Sequence, residues 1–186
     1  KPSAIMATNT SGLNINEIAQ NLKRKSDFAV MHWWNPPHII PLVEIAKGEE
    51  TSEDTVNLLV EITKKVRHKP VVIRKNAHGF ICNRIQFAVL RETLHMVEEG
   101  IATPEDIDTA MKYGLGFRYA VLGPFESADL GGIDTFHYVS SYLFADLDNS
   151  IGPSKVLAGL VNKNQLGLKT GKGFYDYSQV DDGEIL

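Results

Sequence analysis

Three polar side chains of this 186-residue sequence lie in or directly after short apolar runs that are typical of buried strands. Ser11 follows one such run, His32 closes a second, and Glu44 lies in a third. Because α/β enzymes bind ligands at the carboxyl ends of their strands, we expect these side chains to meet at one edge of a sheet. A histidine beside a carboxylate can move a proton at neutral pH, since the carboxylate fixes the ring's tautomer while the other nitrogen meets the substrate.

A fourth side chain comes from further along the chain. Asn83 lies in the first turn of a long helix predicted over residues 80–99. From there its amide could approach the other three side chains and bind a substrate oxygen. The four residue types together predict proton transfer to or from a bound substrate.

The elements that would position these side chains belong to an α/β segment before residues 76–79. The spacing of apolar residues predicts strands over residues 4–8, 28–33, 41–46 and 70–73. It also predicts a short helix that starts at Asn14 or Asn16, and a longer one capped by Thr51 or Ser52. A strand, a helix and a strand in this order favour a crossover connection within a parallel or mixed sheet.

After Gly79 the pattern is helical throughout. Helices are predicted over residues 80–99, 103–114, after Gly123-Pro124, 133–147 and 154–164. Thr103-Pro104-Glu105-Asp106 is a strong start signal, and we expect the helix that it begins to end near Gly114. Gly100 suits the left-handed position after the first of these helices.

Short motifs occur in order along nearly the whole chain, as follows: Asn9-Thr10-Ser11, His32-Trp33-Trp34-Asn35-Pro36, Leu42-Val43-Glu44, Gly79-Phe80-Ile81-Cys82-Asn83-Arg84, Gly123-Pro124-Phe125-Glu126 and Lys169-Thr170-Gly171-Lys172-Gly173-Phe174-Tyr175. In order and spacing this series resembles the L-3-hydroxyacyl-CoA dehydrogenases. The resemblance implies an α/β fragment, the end of a Rossmann-type NAD-binding domain (residues 1–77), followed by an all-α C-terminal domain (residues 78–186). It also implies NAD-dependent oxidation of L-3-hydroxyacyl-CoA to 3-ketoacyl-CoA, in fatty-acid β-oxidation or related short-chain acyl-CoA metabolism.

The resemblance implies a catalytic role for four residues. His32 would be the general base that takes the 3-hydroxyl proton, and Glu44 would pair with it and keep it oriented. Ser11 and Asn83 would hydrogen-bond the substrate oxygens.

The resemblance also implies residues near the cofactor. The Asn9-Thr10-Ser11 turn would lie near the nicotinamide of NAD, and Asn35 would shape the loop after His32. Trp33 and Trp34 are interpreted as core and pocket wall. The helical domain would pair two subunits into a homodimer.

Other motifs, such as Asn35-Pro36-Pro37 and Ile40-Pro41-Leu42-Val43-Glu44, are similar to a sister branch that includes L-gulonate 3-dehydrogenase and lambda-crystallin. That branch oxidises free hydroxy acids, so such an acid is the alternative substrate to an acyl-CoA. A catalytically silent dimerisation or structural module is the alternative from another class.

The glycine-rich dinucleotide fingerprint, with its acidic residue about 20 positions later, has no match in this sequence. We therefore interpret the chain as a truncated part of a larger protein, which alone binds NAD poorly and is inactive. An NADH fluorescence titration of the isolated chain tests this expectation.

Composition excludes several other classes of function. A formal net charge of -4, without a long basic run, does not indicate a surface that binds nucleic acid or a membrane. The single cysteine, Cys82, leaves no internal disulfide and fits a reducing compartment, so we expect a cytoplasmic protein. The sequence contains neither His-Glu-x-x-His nor a Cys/His cluster, and we predict no metal site.

Overall fold

A computed structural model describes residues 3–75 and 77–179 of the chain. The chain divides into two compact units between Phe87 and Ala88. This division falls inside a helix, about ten residues after the domain boundary that the sequence predicts at residues 77/78. The domain boundary at 77/78 stays a prediction.

The first unit contains a four-stranded mixed sheet. Its strands are β1 (Met6–Thr8), β2 (Phe28–Trp33), β3 (Leu42–Lys47) and β4 (Lys69–Ile73), and they lie side by side in that order. β1 and β2 are parallel, β2 and β3 are antiparallel, and β3 and β4 are parallel again. All four strands therefore lie where the apolar runs of the sequence predicted them.

Two helices flank the sheet, and side-chain caps fix where each begins. In α1 (Ile15–Ala19) the Asn14 side chain accepts the backbone N–H of Asn16. In α2 (Glu53–Lys65) the Ser52 hydroxyl accepts the N–H of Thr55. These bonds satisfy N–H groups that lack a partner in the first turn of a helix. Because α2 joins β3 to the parallel strand β4, the predicted strand–helix–strand connection is confirmed.

The sheet is covered on both faces, since successive side chains of a strand point in opposite directions. On one face Phe28 and Val30 pack with Ile15 of α1, Ala46, Ile73 and Phe80. On the other face Ala29, Met31, Val43 and Ile45 pack with Val56 and Leu59 of α2. The alternation of β2 therefore assigns His32 to the face of α1 and Phe80. Glu44 shares this face, because it lies two residues before Ala46 on β3.

Most of the described chain after β4 is helical. The helices are α3 (Cys82–Glu98), α4 (Pro104–Ala110), α5 (Gly116–Tyr119), α6 (Pro124–Gly131), α7 (Ile133–Asp146) and α8 (Lys155–Asn162). Gly100 adopts a φ of 68° after α3, and Thr103 and Asp106 form a reciprocal capping box at the start of α4, as the sequence predicts. These observations confirm an α/β fragment followed by an all-α segment.

The prediction that the helix begun at Thr103 ends near Gly114 is wrong. The chain continues as a π-helical turn over Met111–Leu115 and then as α5. The backbone N–H of Gly116 donates to the carbonyl oxygen of Met111, five residues earlier. A Cβ atom at position 116 would lie 2.6 Å from that oxygen, so the absence of a side chain permits the wider turn.

Large apolar side chains remain exposed in the second unit. Phe125 and Tyr113 are 85% and 82% exposed, and Phe144 of α7 is 71% exposed. Among the described residues 88–179, the buried side chains are Leu94, Ile107 and Ser127. No helix in the part of the chain that the structure describes is long and apolar enough to cross a membrane.

Candidate active site

His32 and Glu44 form a buried pair. They are direct partners in the antiparallel register of β2 and β3, and opposite residues in such a register point to the same face of the sheet. Nδ1 of His32 lies 2.9 Å from Oε2 of Glu44. Glu44 is completely buried and His32 is 8% exposed. The structure therefore places the predicted base and its predicted carboxylate partner in direct contact.

The carboxylate of Glu44 accepts four hydrogen bonds. Oε2 accepts from His32 and from the indole N–H of Trp34 at 3.1 Å. Oε1 accepts the backbone N–H groups of Ile81 at 2.9 Å and Cys82 at 3.0 Å, at the start of α3. Burial alone would raise the pKa of Glu44, but these bonds outweigh burial and lower its pKa. Glu44 is therefore ionised at neutral pH despite its depth.

An ionised carboxylate only accepts hydrogen bonds, so the tautomer of His32 is defined. Nδ1 carries the proton and donates a hydrogen bond to Glu44. When the ring is neutral, Nε2 keeps its lone pair. Within the described residues, no protein group hydrogen-bonds Nε2. The ring is bordered by Phe80, with ring centroids 5.8 Å apart, and by the edge of Trp34 at 6.3 Å. Nε2 is therefore the atom that can take a proton from a ligand.

The turn after β1 is held by its own polar groups. The side-chain oxygen of Asn9 accepts the backbone N–H of Trp33 at 2.9 Å, which ties the turn to the end of β2. The hydroxyl oxygen of Thr10 accepts the N–H of Leu13. The carbonyl oxygen of Ser11 accepts from the side-chain amide of Asn83 at 3.1 Å, while Ser11 itself is exposed. The structure thus brings Ser11 and Asn83 together, as it does His32 and Glu44.

Asn35 lies in the loop that follows β2. It is exposed, and the peptide bond between Asn35 and Pro36 is cis. His68 links this loop to the turn after α2, because its two ring nitrogens lie 3.0 Å from the carbonyl oxygens of Pro37 and Val66. These bonds raise the pKa of His68. His68 therefore ties the loop after β2 to the turn after α2.

The sequence did not predict two sets of contacts around Glu44. Trp34 was interpreted as pocket wall, yet its indole N–H binds the carboxylate directly. The N–H groups of Ile81 and Cys82 are backbone donors, which residue types do not reveal. A Trp two positions after the histidine was the one available signal, since a buried indole N–H needs an acceptor.

A cavity of about 480 Å³ lies entirely within the second unit. Its walls are mainly apolar side chains of α3, α4 and α8, among them Leu94, Ile107 and Leu160. The Tyr175 hydroxyl donates to Asp108 of α4 at 2.8 Å. Burial and this carboxylate raise the pKa of Tyr175 to about 12. The tail motif that ends in Gly173-Phe174-Tyr175 thus holds the chain against α4.

Comparison with known proteins accounts for almost the whole chain. Residues 1–77 match the 3-hydroxyacyl-CoA dehydrogenase NAD binding domain, and residues 79–177 match the C-terminal domain of the same family. The chain belongs to the 3-hydroxyacyl-CoA dehydrogenase family. The predicted family, the Rossmann-type character of the first unit and NAD as the cofactor are thereby confirmed.

Two curated relatives in this family illustrate the range of named activities. The chain is 37% identical over 174 residues to 5-formyl-3-hydroxy-2-methylpyridine 4-carboxylate 5-dehydrogenase of Mesorhizobium japonicum, with 94% of this chain and 56% of that protein covered. It is 42% identical over 175 residues to human mitochondrial hydroxyacyl-coenzyme A dehydrogenase, with 93% and 54% covered. The chain therefore spans just over half the length of these relatives.

A solved structure of an enzyme with the first of these activities, described as an NAD⁺-dependent dismutase, superposes with a TM-score of 0.91 at 37% identity. It covers 93% of this chain and 56% of that chain.

Uncharged polar groups that could hold the nicotinamide end of NAD lie after β1, after β2 and at the start of α3. The exposed Ser11, the amide of Asn83 and the exposed Asn35 offer uncharged donors and acceptors there. Asn9 and Thr10 use their side-chain oxygens to hold the turn, which leaves them a supporting role. The glycine-rich loop that cradles the diphosphate is not encoded in this chain.

Proposed function

We propose that this chain carries the acid–base pair and the helical domain of an NAD-dependent dehydrogenase that interconverts L-3-hydroxyacyl-CoA and 3-ketoacyl-CoA. The observation that carries the proposal is the contact between His32 and the fully hydrogen-bonded, ionised Glu44. This arrangement leaves Nε2 of His32 as a base beside the turn assigned to the nicotinamide end of the cofactor.

In the oxidative direction Nε2 of His32 accepts the proton of the substrate hydroxyl. NAD, when bound, supplies the acceptor for the hydride that leaves the same carbon. Glu44 faces the imidazolium that results and stabilises its charge, because the pair is shielded from water. In the reductive direction the imidazolium returns the proton to the carbonyl oxygen.

Ser11 and Asn83 position the substrate in this proposal. The contact between the Asn83 amide and the Ser11 carbonyl oxygen holds the first turn of α3 beside the end of β1. The Ser11 hydroxyl and the remaining Asn83 amide hydrogen are then available to a substrate oxygen. Asn9, Thr10 and Asn35 shape the adjoining cofactor surface.

A second candidate substrate is a small free acid that carries a hydroxyl or aldehyde group. The similarity to an enzyme that acts on a pyridine carboxylate, with a TM-score of 0.91, favours it. The same acid–base pair would serve both substrates, since the proton transfer does not involve the acyl carrier.

The second unit is proposed to pair with a second copy of itself. Its exposed aromatic side chains on α6 and α7, such as Phe125 and Phe144, would be covered in such a dimer. The chain alone, without the diphosphate loop, is proposed to bind NAD weakly.

The test uses the full-length gene product and follows NADH oxidation with acetoacetyl-CoA. Turnover with acetoacetyl-CoA supports the acyl-CoA substrate. Turnover only with free hydroxy acids or aromatic carboxylates and NAD supports the second candidate. Absence of turnover with both classes contradicts the dehydrogenase proposal.

A further inference from the structure

We infer that Trp34 is a positioning residue for the acid–base pair: its indole N–H shares one oxygen of Glu44 with His32 and so limits how strongly Glu44 holds the imidazole proton. The inference rests on the proposed function of that pair. It assigns a chemical role to a side chain that the sequence marks only as an aromatic neighbour of the histidine.

The geometry gives each carboxylate oxygen two donors. On Oε2 the Nδ1 atom of His32 lies at 2.9 Å and the Nε1 atom of Trp34 at 3.1 Å. Oε1 is occupied by two backbone N–H groups, which no side-chain substitution removes. The Trp34 indole is therefore the one donor besides His32 itself that a side-chain change can withdraw from Glu44.

The physical effect of this donor follows from where the carboxylate charge resides. Each hydrogen bond to an ionised carboxylate stabilises its charge and makes the oxygen a weaker acceptor for its other donors. The Trp34 bond is one of those that lower the pKa of Glu44. Without the indole N–H, Oε2 becomes more basic and attracts the shared proton of the pair more strongly. The pair then gives up its proton only at a higher pH than in the wild type.

The neighbouring Trp33 provides a matched contrast. Its side chain alternates to the other face of the sheet, where it packs against the cluster that contains Met31 and Val43. Its ring contacts His68 at a centroid distance of 4.9 Å. Glu44 accepts from Trp34 and not from Trp33, although the two residues are adjacent and chemically identical.

The experiment compares the full-length gene product with its Trp34→Phe and Trp33→Phe variants. The readout is the pH profile of kcat/KM for oxidation of the 3-hydroxyacyl-CoA, because a merely structural role would lower kcat without moving the profile. We expect the midpoint of the acidic limb to rise by about half a pH unit or more in Trp34→Phe. Trp33→Phe should leave the midpoint in place. An unmoved midpoint in an active Trp34→Phe variant overturns the inference.

A second replacement guards against a folding defect in Trp34→Phe. A benzothienylalanine at position 34 keeps the two-ring shape and removes only the N–H group. It should reproduce the upward shift of the midpoint, and an unshifted profile with this residue contradicts the inference as directly as with Phe.

A spectroscopic readout separates this inference from the proposed function. The protonation of the pair is followed by the ¹⁵N signals of the imidazole in the absence of any substrate. If the wild-type protein shows no turnover, the dehydrogenase proposal fails. The inference still stands if the midpoint of these signals rises on loss of the indole N–H, and falls if the midpoint does not move.

Discussion

His32 and Glu44 face each other across the antiparallel strands β2 and β3, with Nδ1 of the histidine 2.9 Å from Oε2 of the glutamate. The contact spans 12 residues of sequence and is set by strand register, since a slip by one residue would turn either side chain to the opposite face. The register of two strands, and not a loop, therefore fixes the geometry of this contact.

Replacing His32 by Gln should remove the base and keep the fold. We expect kcat of the full-length gene product to fall by roughly 100- to 10,000-fold, as is usual for loss of a general acid–base group. The measurement is steady-state NADH oxidation with acetoacetyl-CoA. His38→Gln, at an exposed position of the following loop, is the control and should keep wild-type activity. Substantial activity in His32→Gln would remove His32 as the base.

Glu44→Gln should destabilise the protein in a pH-dependent way. In the variant, the side-chain amide would turn its own N–H groups toward N–H donors that bind the carboxylate in the wild type. We expect a loss of about 2–3 kcal/mol in the free energy of unfolding at pH 7. The folded-state pKa of Glu44 is lowered. Its contribution is therefore present above the unfolded-state value of about 4.5 and is lost as pH falls through the folded-state value.

Urea unfolding at pH 7 and at acidic pH measures this effect. The difference between wild type and Glu44→Gln should narrow below pH 4.5. Glu61→Gln changes a carboxylate that is 57% exposed and pairs with Lys64, so it should cost less than about 1 kcal/mol. An equally large difference at all pH values would contradict the role assigned to the carboxylate charge.

His68 should stabilise the loop after β2 more strongly when its ring is protonated than when it is neutral. Both of its nitrogens face carbonyl oxygens, and a neutral imidazole has a single N–H to donate. Because these carbonyl groups raise its pKa, the stabilisation is fully present below the ordinary value of 6.5 and is lost as pH rises through the folded-state value.

Thermal unfolding of wild type and His68→Gln between pH 6 and pH 8 checks this expectation. Wild type should lose its advantage over the variant as pH rises. His38→Gln, which removes a histidine without two such bonds, should show the same pH dependence as wild type. A difference between wild type and His68→Gln that is constant with pH would argue against the protonated clamp.

Gly116 and Gly114 should respond in opposite ways to alanine. A Cβ at position 116 would lie 2.6 Å from the carbonyl oxygen of Met111, whereas one at position 114 meets no atom within 4 Å. We expect Gly116→Ala to cost roughly 1–3 kcal/mol of stability. Gly114→Ala should be neutral or stabilising by up to about 1 kcal/mol. Chemical denaturation of the two variants decides the matter, and equal effects would mean that the π-helical turn does not require glycine.

The exposed aromatic side chains of α6 and α7 should be covered by a second copy of the chain. Phe125→Asp puts a charge at a position that is 85% exposed in the single chain. We expect it to shift the full-length protein from dimer to monomer in analytical ultracentrifugation. Lys163→Glu, after the end of α8, makes the chain more negative by two charges and should leave the mass unaltered. A monomeric wild-type protein would contradict the proposed dimer.

Much of the fold could be predicted because local signals agreed with the final structure. The caps at Ser52 and Thr103 and the apolar runs of the strands determined where elements begin, and tertiary packing did not override them. The end of the helix after Thr103 could not be predicted in this way, because glycine usually stops a helix but here permits a π-helical turn. Residue type alone does not distinguish the two outcomes.

The candidate site was predictable in its residue types and less so in its contacts. The sequence identified His32 and Glu44 as neighbours, but their pairing arises from the antiparallel register of β2 and β3, which places Glu44 near the amino end of β3 opposite His32. The donation from Trp34 depends on the side-chain rotamer, and those from Ile81 and Cys82 on the backbone path after Phe80, which has a φ of 50°. Such features arise from three-dimensional packing and leave no spacing in the sequence.

The two backbone N–H groups bound by Glu44 also have a consequence for how this position tolerates mutation. One carboxylate both contacts the His32 ring and binds two backbone N–H groups at the start of α3. A screen that scores cellular abundance would therefore reject substitutions at position 44 as strongly as a screen that scores turnover. At His32 the two screens should diverge if its ring has the proposed role in proton transfer, because substitution would then lower turnover more than abundance. Comparing the two scores position by position would separate residues that stabilise the structure of the site from residues that take part in the reaction.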